Sequence, residues 1–239
     1  PNGSGKTTMM RCICGLLSPE KGSIECDCEN IGYLPQQFGA MKSLTVYETM
    51  RYFATLKKIP KSNQDNEIRY CIDLVNLSDK IKNKVGSLSG GMVRRLGIAQ
   101  AIMGNPEIVL FDEPTAGLDP EERVRFKSLL RKIKNDKTII ISTHIVSDVK
   151  SICDEIVIIN EGRNVVQGTC SDITSIGNEK VFLLDEEYEN NLEGNYYVKD
   201  RISKDNKNYI IVLSSNFIEQ GVSINADIED GYLCALKDI

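Results

Sequence analysis

Apolar residues at Met9, Met10, Ile13, Leu16 and Leu17 carry helical spacing, and the chain then breaks over 18–22. Short strands are predicted over 22–26 and 30–36. From about Leu44 to Leu77 the pattern is helical again. Val46, Met50, Phe53 and Leu56 mark one half, Ile68, Ile72 and Val75 the other, and 61–66 reads as a polar break between them. "PEIVLFDEP" contains a continuous apolar strand of the kind buried on both faces, and "KTIIIST" contains a second. Between them, Asp119 and Pro120 read as the cap and first turn of a helix. Phe126, Leu129, Leu130 and Ile133 lie along one face of it. "HIVSDVKSIC" predicts a helix, "EIVIIN" a strand, and "EGRNVVQG" a turn into a further strand. Helices alternating with apolar strands predict an α/β fold built on a parallel sheet flanked by helices.

Beyond about Thr169 the texture changes. "KVFLLD", "NYYVKDR" and "NYIIVLSS" read as strands between polar, Asn- and Glu-rich turns, without a chemical motif and without a repeat of what precedes them. A division at 168/169 follows, with 169–239 a small α+β accessory region.

Composition narrows the class. A chain of 239 residues can bury a proper core without staples. Lys and Arg total 29 against 34 Asp and Glu, which argues against a general attraction to nucleic acid. No apolar run approaches the roughly 20 residues needed to span a bilayer, so any membrane role passes through a partner. Of the eight cysteines, Cys71, Cys153, Cys170 and Cys234 are scattered, and in a reducing cytosol thiols stay free. Cys12/Cys14 and Cys26/Cys28 are spaced too closely for the usual tetrahedral metal site and read better as small buried residues.

The chemistry begins at "PNGSGKTTMM". Gly3 and Gly5 permit the tight path of a phosphate-binding loop, whose backbone N–H groups meet phosphate oxygens at a helix N-terminus. In such a P-loop Lys6 reaches the β- and γ-phosphates and the Thr7 hydroxyl can ligate Mg²⁺. The loop needs an acid at the end of a buried strand, and Asp112 supplies it, placed to hold Mg²⁺. Glu113 follows at once, where a carboxylate can polarise an attacking water. The fold expected is therefore a P-loop NTPase core.

Five further stretches occur in order: "YLPQ" ending at Gln36, "LSGGM" over 88–92, "FDEP", "AGLD" ending at Asp119, and "STH" ending at His144. Together they resemble the ATP-binding cassette (ABC) ATPases over about 1–168, most closely the single-cassette subunits of bacterial exporters. The resemblance implies an inserted helical subdomain at 40–88, ATP and Mg²⁺ as ligands, and a second cassette and transmembrane permease subunits as partners. It places the chain in the cytoplasm, on the inner face of the cell membrane. It implies roles for Asn2, Gly3, Ser4, Gly5, Lys6, Thr7 and Thr8 in cradling the phosphates. Gln36 would sense Mg²⁺ and the attacking water. Ser89, Gly90 and Gly91 would reach the nucleotide of the opposite protomer, and Asp119 would contact that protomer. Glu113 would be the base, and His144 would bond the γ-phosphate. Plain alternatives stand beside these: Ser89 as an ordinary helix cap, and His144 as a packed or surface side chain; Arg94 and Arg95 read as a solvated helix face rather than a nucleic-acid patch.

Against the pattern, the first glycine of the loop, the strand feeding it and an adenine-stacking aromatic are expected upstream of Pro1. The chain is thus expected to be a fragment that binds ATP poorly. The stretch before Gln36 is short, which predicts a trimmed antiparallel β-subdomain. A soluble ABC ATPase acting on ribosomes or nucleic acid is the rival reading. One cassette and an acidic balance speak for the exporter, with no nucleic-acid partner expected.

Overall fold

The computed structural model describes residues 1–25, 31–134 and 137–239. The chain divides into two compact units, one formed by 6–144 and the other by 1–5 with 145–239.

The 6–144 unit is built on three parallel strands in the order β1 (Ile31–Leu34), β2 (Ile108–Asp112), β3 (Thr138–Ser142). β2 lies between the other two, and Val109, Leu110, Phe111 and Asp112 are all fully buried. Its uninterrupted apolar run is the signature of a strand covered on both faces. Among the described residues β3 pairs with β2 alone, and Ile139, Ile140 and Ile141 are half-buried. Helix α5 (Pro120–Ile133) connects β2 to β3, capped by the Asp119 side chain with Pro120 in its first turn. It buries Phe126, Leu129, Leu130 and Ile133, and Phe126 meets Phe111 edge-on at 5.7 Å.

The phosphate-loop helix α1 (Lys6–Ile13) is shorter than its apolar spacing predicts. Gly15 takes φ +69°, and the N–H of Leu16 turns back to the carbonyl of Arg11 at 2.8 Å. A left-handed glycine of this kind ends a helix, and Leu16 and Leu17 are consequently exposed. No strand forms over 14–25, so the one predicted over 22–26 is irregular through Glu25. Cys26 and Cys28 lie outside the described residues. Cys12 and Cys14 are half-buried, not buried.

β1 and β2 are joined through α2 (Val46–Leu56), α3 (Lys61–Leu74) and α4 (Gly90–Ile102). The predicted break at 61–66 belongs instead to the first turns of α3. The helices separate at 57–60, where Lys58 takes φ +55° and Pro60 sets up the helix entry. The polar residues after Pro60 are an exposed face, apart from Gln64, which bonds the Ile59 carbonyl. α2 opens with a reciprocal capping box between Thr45 and Glu48. α4 closes against Lys57, whose Nζ donates to the carbonyls of Met103 (2.7 Å) and Ala101 (3.2 Å). Cations suit the carbonyl end of a helix.

Burial draws the Lys57 ammonium down to about 8, opposed by Cys71 and Glu67 beside it. The folded chain therefore releases this proton at lower pH than the unfolded chain, which holds it to about 10.5. Between those values the unfolded state binds more protons, so folding gains stability as pH rises, by up to roughly 3 kcal/mol. Urea unfolding of the wild type and Lys57→Met from pH 7.5 to 10 tests this. Their stability difference should move in favour of the wild type; a constant difference would refute it.

In the 145–239 unit, α6 (Val146–Val149) is only one turn of the helix predicted there. β4 (Ile156–Asn160) and β5 (Arg163–Gly168) form an antiparallel hairpin. Its turn residues Glu161 and Gly162 both have positive φ, the turn geometry that matches hairpin twist. Gly162 N–H donates to the carbonyl of Ser4. After α7 (Cys170–Ser175) come β6 (Val181–Asp185), β7 (Tyr196–Lys204), β8 (Lys207–Ser214) and β9 (Val222–Ser223). They make an antiparallel sheet in the order β7-β8-β6-β9, and α8 (Ile228–Lys237) closes the chain. Phe182, Leu184, Ile210 and Val212 form one core cluster. Val181, Leu213 and Cys234 belong to another.

Candidate functional site

Strand register builds the site. Asp112 at the end of β2 stands opposite Ser142 at the end of β3, so two polar side chains emerge side by side where the apolar strands stop. The Ser142 hydroxyl donates to Asp112 Oδ1 at 2.5 Å. Thr7, from the first turn of α1, donates through Oγ1 to Asp112 Oδ2 at 2.8 Å. Asp112 is fully buried, and an ionised carboxylate there requires such partners. Two hard oxygens, Thr7 Oγ1 and an Asp112 carboxylate oxygen, thus lie together in the chemistry that Mg²⁺ prefers.

Glu113 turns off the strand with φ +50°, a left-handed conformation rare for a residue with a side chain. Its N–H is held by both Ser142 Oγ (3.0 Å) and Ser142 O (3.1 Å). Its carboxylate, 5% exposed, meets His144 Nδ1 at 2.9 Å through Oε2. A carboxylate only accepts, so Nδ1 carries the proton of this bond. In a neutral ring Nε2 is then an acceptor, and it donates only when the imidazole is charged. A continuous chain runs Thr7–Asp112–Ser142–Glu113–His144.

Ser142 is a site residue that the motif reading passed over as part of "STH"; pairing "FDE" with "IIS" across adjacent strands is the signal that finds it. Ser142→Ala would leave an Asp112 oxygen short of a partner and the Glu113 N–H with only the main-chain carbonyl of residue 142. The expected cost is about 1–3 kcal/mol of stability, with ATP turnover falling more than ATP affinity. Denaturant unfolding and steady-state kinetics of the variant read both, and unchanged values would refute the assignment.

The other expected residues are placed as follows. Lys6 opens α1, so Lys6, Thr7 and Thr8 form its first turn, the end of a helix that suits an anion. Gly3 (φ +76°) and Gly5 (φ +99°) have the left-handed backbone such a loop requires. Asn2, Gly3, Ser4 and Gly5 belong to the unit that contains 145–239. Gln36 follows β1 and is exposed. Ser89 caps α4, accepting from Met92 N–H at 3.3 Å, so the ordinary capping role is real. Ser89 and Gly90 are exposed, and Gly91 packs against the Glu122 side chain. Asp119 is exposed and caps α5.

Arg94 and Arg95 are not a solvated face. Arg94 donates to five main-chain carbonyls. Arg95 bonds the carbonyls of Val75 and Asn76 and pairs through Nε with Glu122 at 3.0 Å. Both arginines are half-buried, directly before the stretch Leu96 to Ile102 in which every residue of α4 is buried.

A helix-opening lysine and threonine, with the threonine bonded to the acid that ends a buried parallel strand, define a P-loop nucleotide hydrolase core. Residues 1–116 match the model of the ABC transporter family. An ABC transporter ATP-binding protein of Bacillus subtilis, YxlF, is 32% identical over 95% of this chain and 79% of its own length. A Nod factor export ATP-binding protein I of Burkholderia lata is 34% identical over 70% of this chain, which spans 59% of that relative. Among solved structures, cbiO1 of Clostridium perfringens, part of the complex cbiONQ, superposes with a TM-score of 0.66. It is 27% identical and covers 73% of this chain and 76% of its own. A dimeric ATP-binding cassette with ADP and Pi, in a post-hydrolysis state, superposes at 0.64, with 26% identity over 71% of this chain and 82% of its own. The chain belongs to the ABC transporter ATP-binding proteins and carries their ATPase cassette.

Proposed function

We propose that this chain hydrolyses ATP to drive export of a substrate through separate transmembrane subunits. The observation that carries the reading is the hydrogen-bonded chain from Thr7 to His144. It puts a phosphate-loop hydroxyl, a buried acid, a second carboxylate and an imidazole in one connected array.

In this reading Lys6 and the first-turn N–H groups of α1 bind the β- and γ-phosphates. Thr7 and Asp112 hold Mg²⁺, which when bound neutralises charge on the phosphates. Glu113 accepts the proton of the attacking water at Oε1, because Oε2 is occupied by His144. The αL backbone and the two bonds to Ser142 fix where that carboxylate stands, so little reorganisation is needed when the water loses its proton. A charged His144 bonds a γ-phosphate oxygen through Nε2. Gln36 senses the metal and the water. Ser89, Gly90 and Gly91 present the exposed N-terminus of α4 to nucleotide on a second cassette, and Asp119 meets that cassette.

The cassette spans 1–168, with the helical subdomain at 40–88 passing motion to the permease and 169–239 as the accessory region. Among the described residues no helix is long and apolar enough to cross a membrane. Separate membrane subunits, with this chain on the cytoplasmic face, agree with that. The Nod factor export relative supports outward transport, and the acidic balance disfavours the ribosome or nucleic-acid reading. Phosphate release from ATP by the full chain, with Mg²⁺ and after its chelation, tests the proposal. Turnover that chelation abolishes is expected; absent or chelation-resistant turnover would refute it.

A further inference from the structure

A guanidinium has five N–H donors in one plane, and each nitrogen of Arg94 is directed at main-chain carbonyls. Nη1 donates to Pro35 O and Gln36 O, both at 2.9 Å. Nη2 donates to Asp112 O and Glu113 O, both at 2.7 Å. Nε donates to Pro114 O at 3.2 Å. Five donors meet five acceptors. The acceptors come from two places that β1 and β2 bring together: the peptide leading into Gln36, and the turn where Asp112 gives way to Glu113. That turn holds the left-handed Glu113, whose N–H is fixed from the other side by Ser142.

We infer that Arg94 is a positioning residue that sets the catalytic carboxylate of Glu113 and the backbone of Gln36 as one unit, from the helix that carries the signature sequence. Arg94 sits in the second turn of α4, whose N-terminal cap is Ser89. A movement of α4 therefore moves the Gln36 and Glu113 peptides together. The inference rests on the proposed role of Glu113 as base.

Lysine is the discriminating replacement. It keeps the charge, but its three donors diverge from a single nitrogen and cannot span two strand ends. Arg94→Lys in the full chain should lower kcat for ATP by roughly 10- to 100-fold, the scale of a displaced catalytic group, with KM changed less than about twofold. On a Glu113→Gln background the same replacement should lower the residual turnover by a clearly smaller factor, because the carboxylate it positions is gone and only the Gln36 backbone is left to be displaced. Unchanged kcat in Arg94→Lys would overturn the inference. So would a fall matched in KM, or an equal fall on both backgrounds. Should Arg94→Lys not fold, Arg94→Gln takes its place; loss of folding in both would assign the clamp to stability alone and overturn the positioning role. Failure of the base assignment is separately visible, as undiminished turnover in Glu113→Gln by itself.

Discussion

Glu113→Gln is expected to lower ATP turnover by roughly 10²–10⁴-fold, the usual worth of a general base, while ATP affinity stays within about threefold. The replacement is nearly isosteric. The glutamine amide oxygen can accept the His144 Nδ1–H bond that the carboxylate accepts at 2.9 Å. Its backbone carries the same left-handed conformation, so the strain there is common to both proteins and cancels. The Thr7–Asp112 and Ser142–Asp112 bonds do not involve the side chain at all. What is lost is the ability to take a proton. Steady-state phosphate release, paired with an equilibrium ATP titration, separates the two quantities. Equal turnover in both proteins would remove Glu113 from the chemistry, and a parallel loss of ATP binding would make it a binding residue.

The second large effect lies in folding. In Gly32→Ala the new methyl would stand 2.1 Å from the Ala101 carbonyl oxygen and 3.0 Å from Pro106 Cγ. The obstacle is the backbone of α4, which packs along β1, so no rotamer change relieves it. The helix must lift from the sheet. Overpacked cores lose typically 1–3 kcal/mol and sometimes more; with a main-chain atom in the way, a loss of about 3 kcal/mol is expected. Because α4 also carries Arg94, turnover should fall in whatever fraction stays folded. Denaturant unfolding of the variant checks the first effect, and a loss below about 0.5 kcal/mol would contradict this account of the helix–sheet contact.

The parts of the fold that were legible in the sequence are those whose chemistry is local. Asp119–Pro120 announces a helix start because cap and first-turn preferences act within a few residues. Val109 to Phe111 announces a buried strand because nothing polar interrupts it. The motifs that marked the site, Lys6–Thr7, Asp112–Glu113 and His144, are likewise contiguous.

What was not legible depends on register and on distant partners. Ser142 matters because β3 pairs with β2 so that it faces Asp112, which neither strand states alone. Arg94 reads as surface because its partners are main-chain carbonyls far away in the sequence, and carbonyls leave no pattern in side-chain identity. The helix boundary at Pro60 is hidden in the sequence because polar residues on an exposed helical face resemble a loop. Leu16 and Leu17 misled in the opposite sense, since Gly15 ends α1 before their spacing can count.

We propose that two copies of this chain form a two-site ATPase, with Lys6, Thr7, Asp112, Glu113 and His144 serving a copy's own nucleotide and Ser89 and Gly91 serving that of its partner. The most direct measurement is the mass in solution, by light scattering, of the full chain carrying Glu113→Gln, without and with saturating ATP and Mg²⁺. The account predicts that the mass doubles when ATP binds and returns to the monomer value when the nucleotide is removed. A chain that binds ATP to saturation and keeps the mass of a monomer would contradict it.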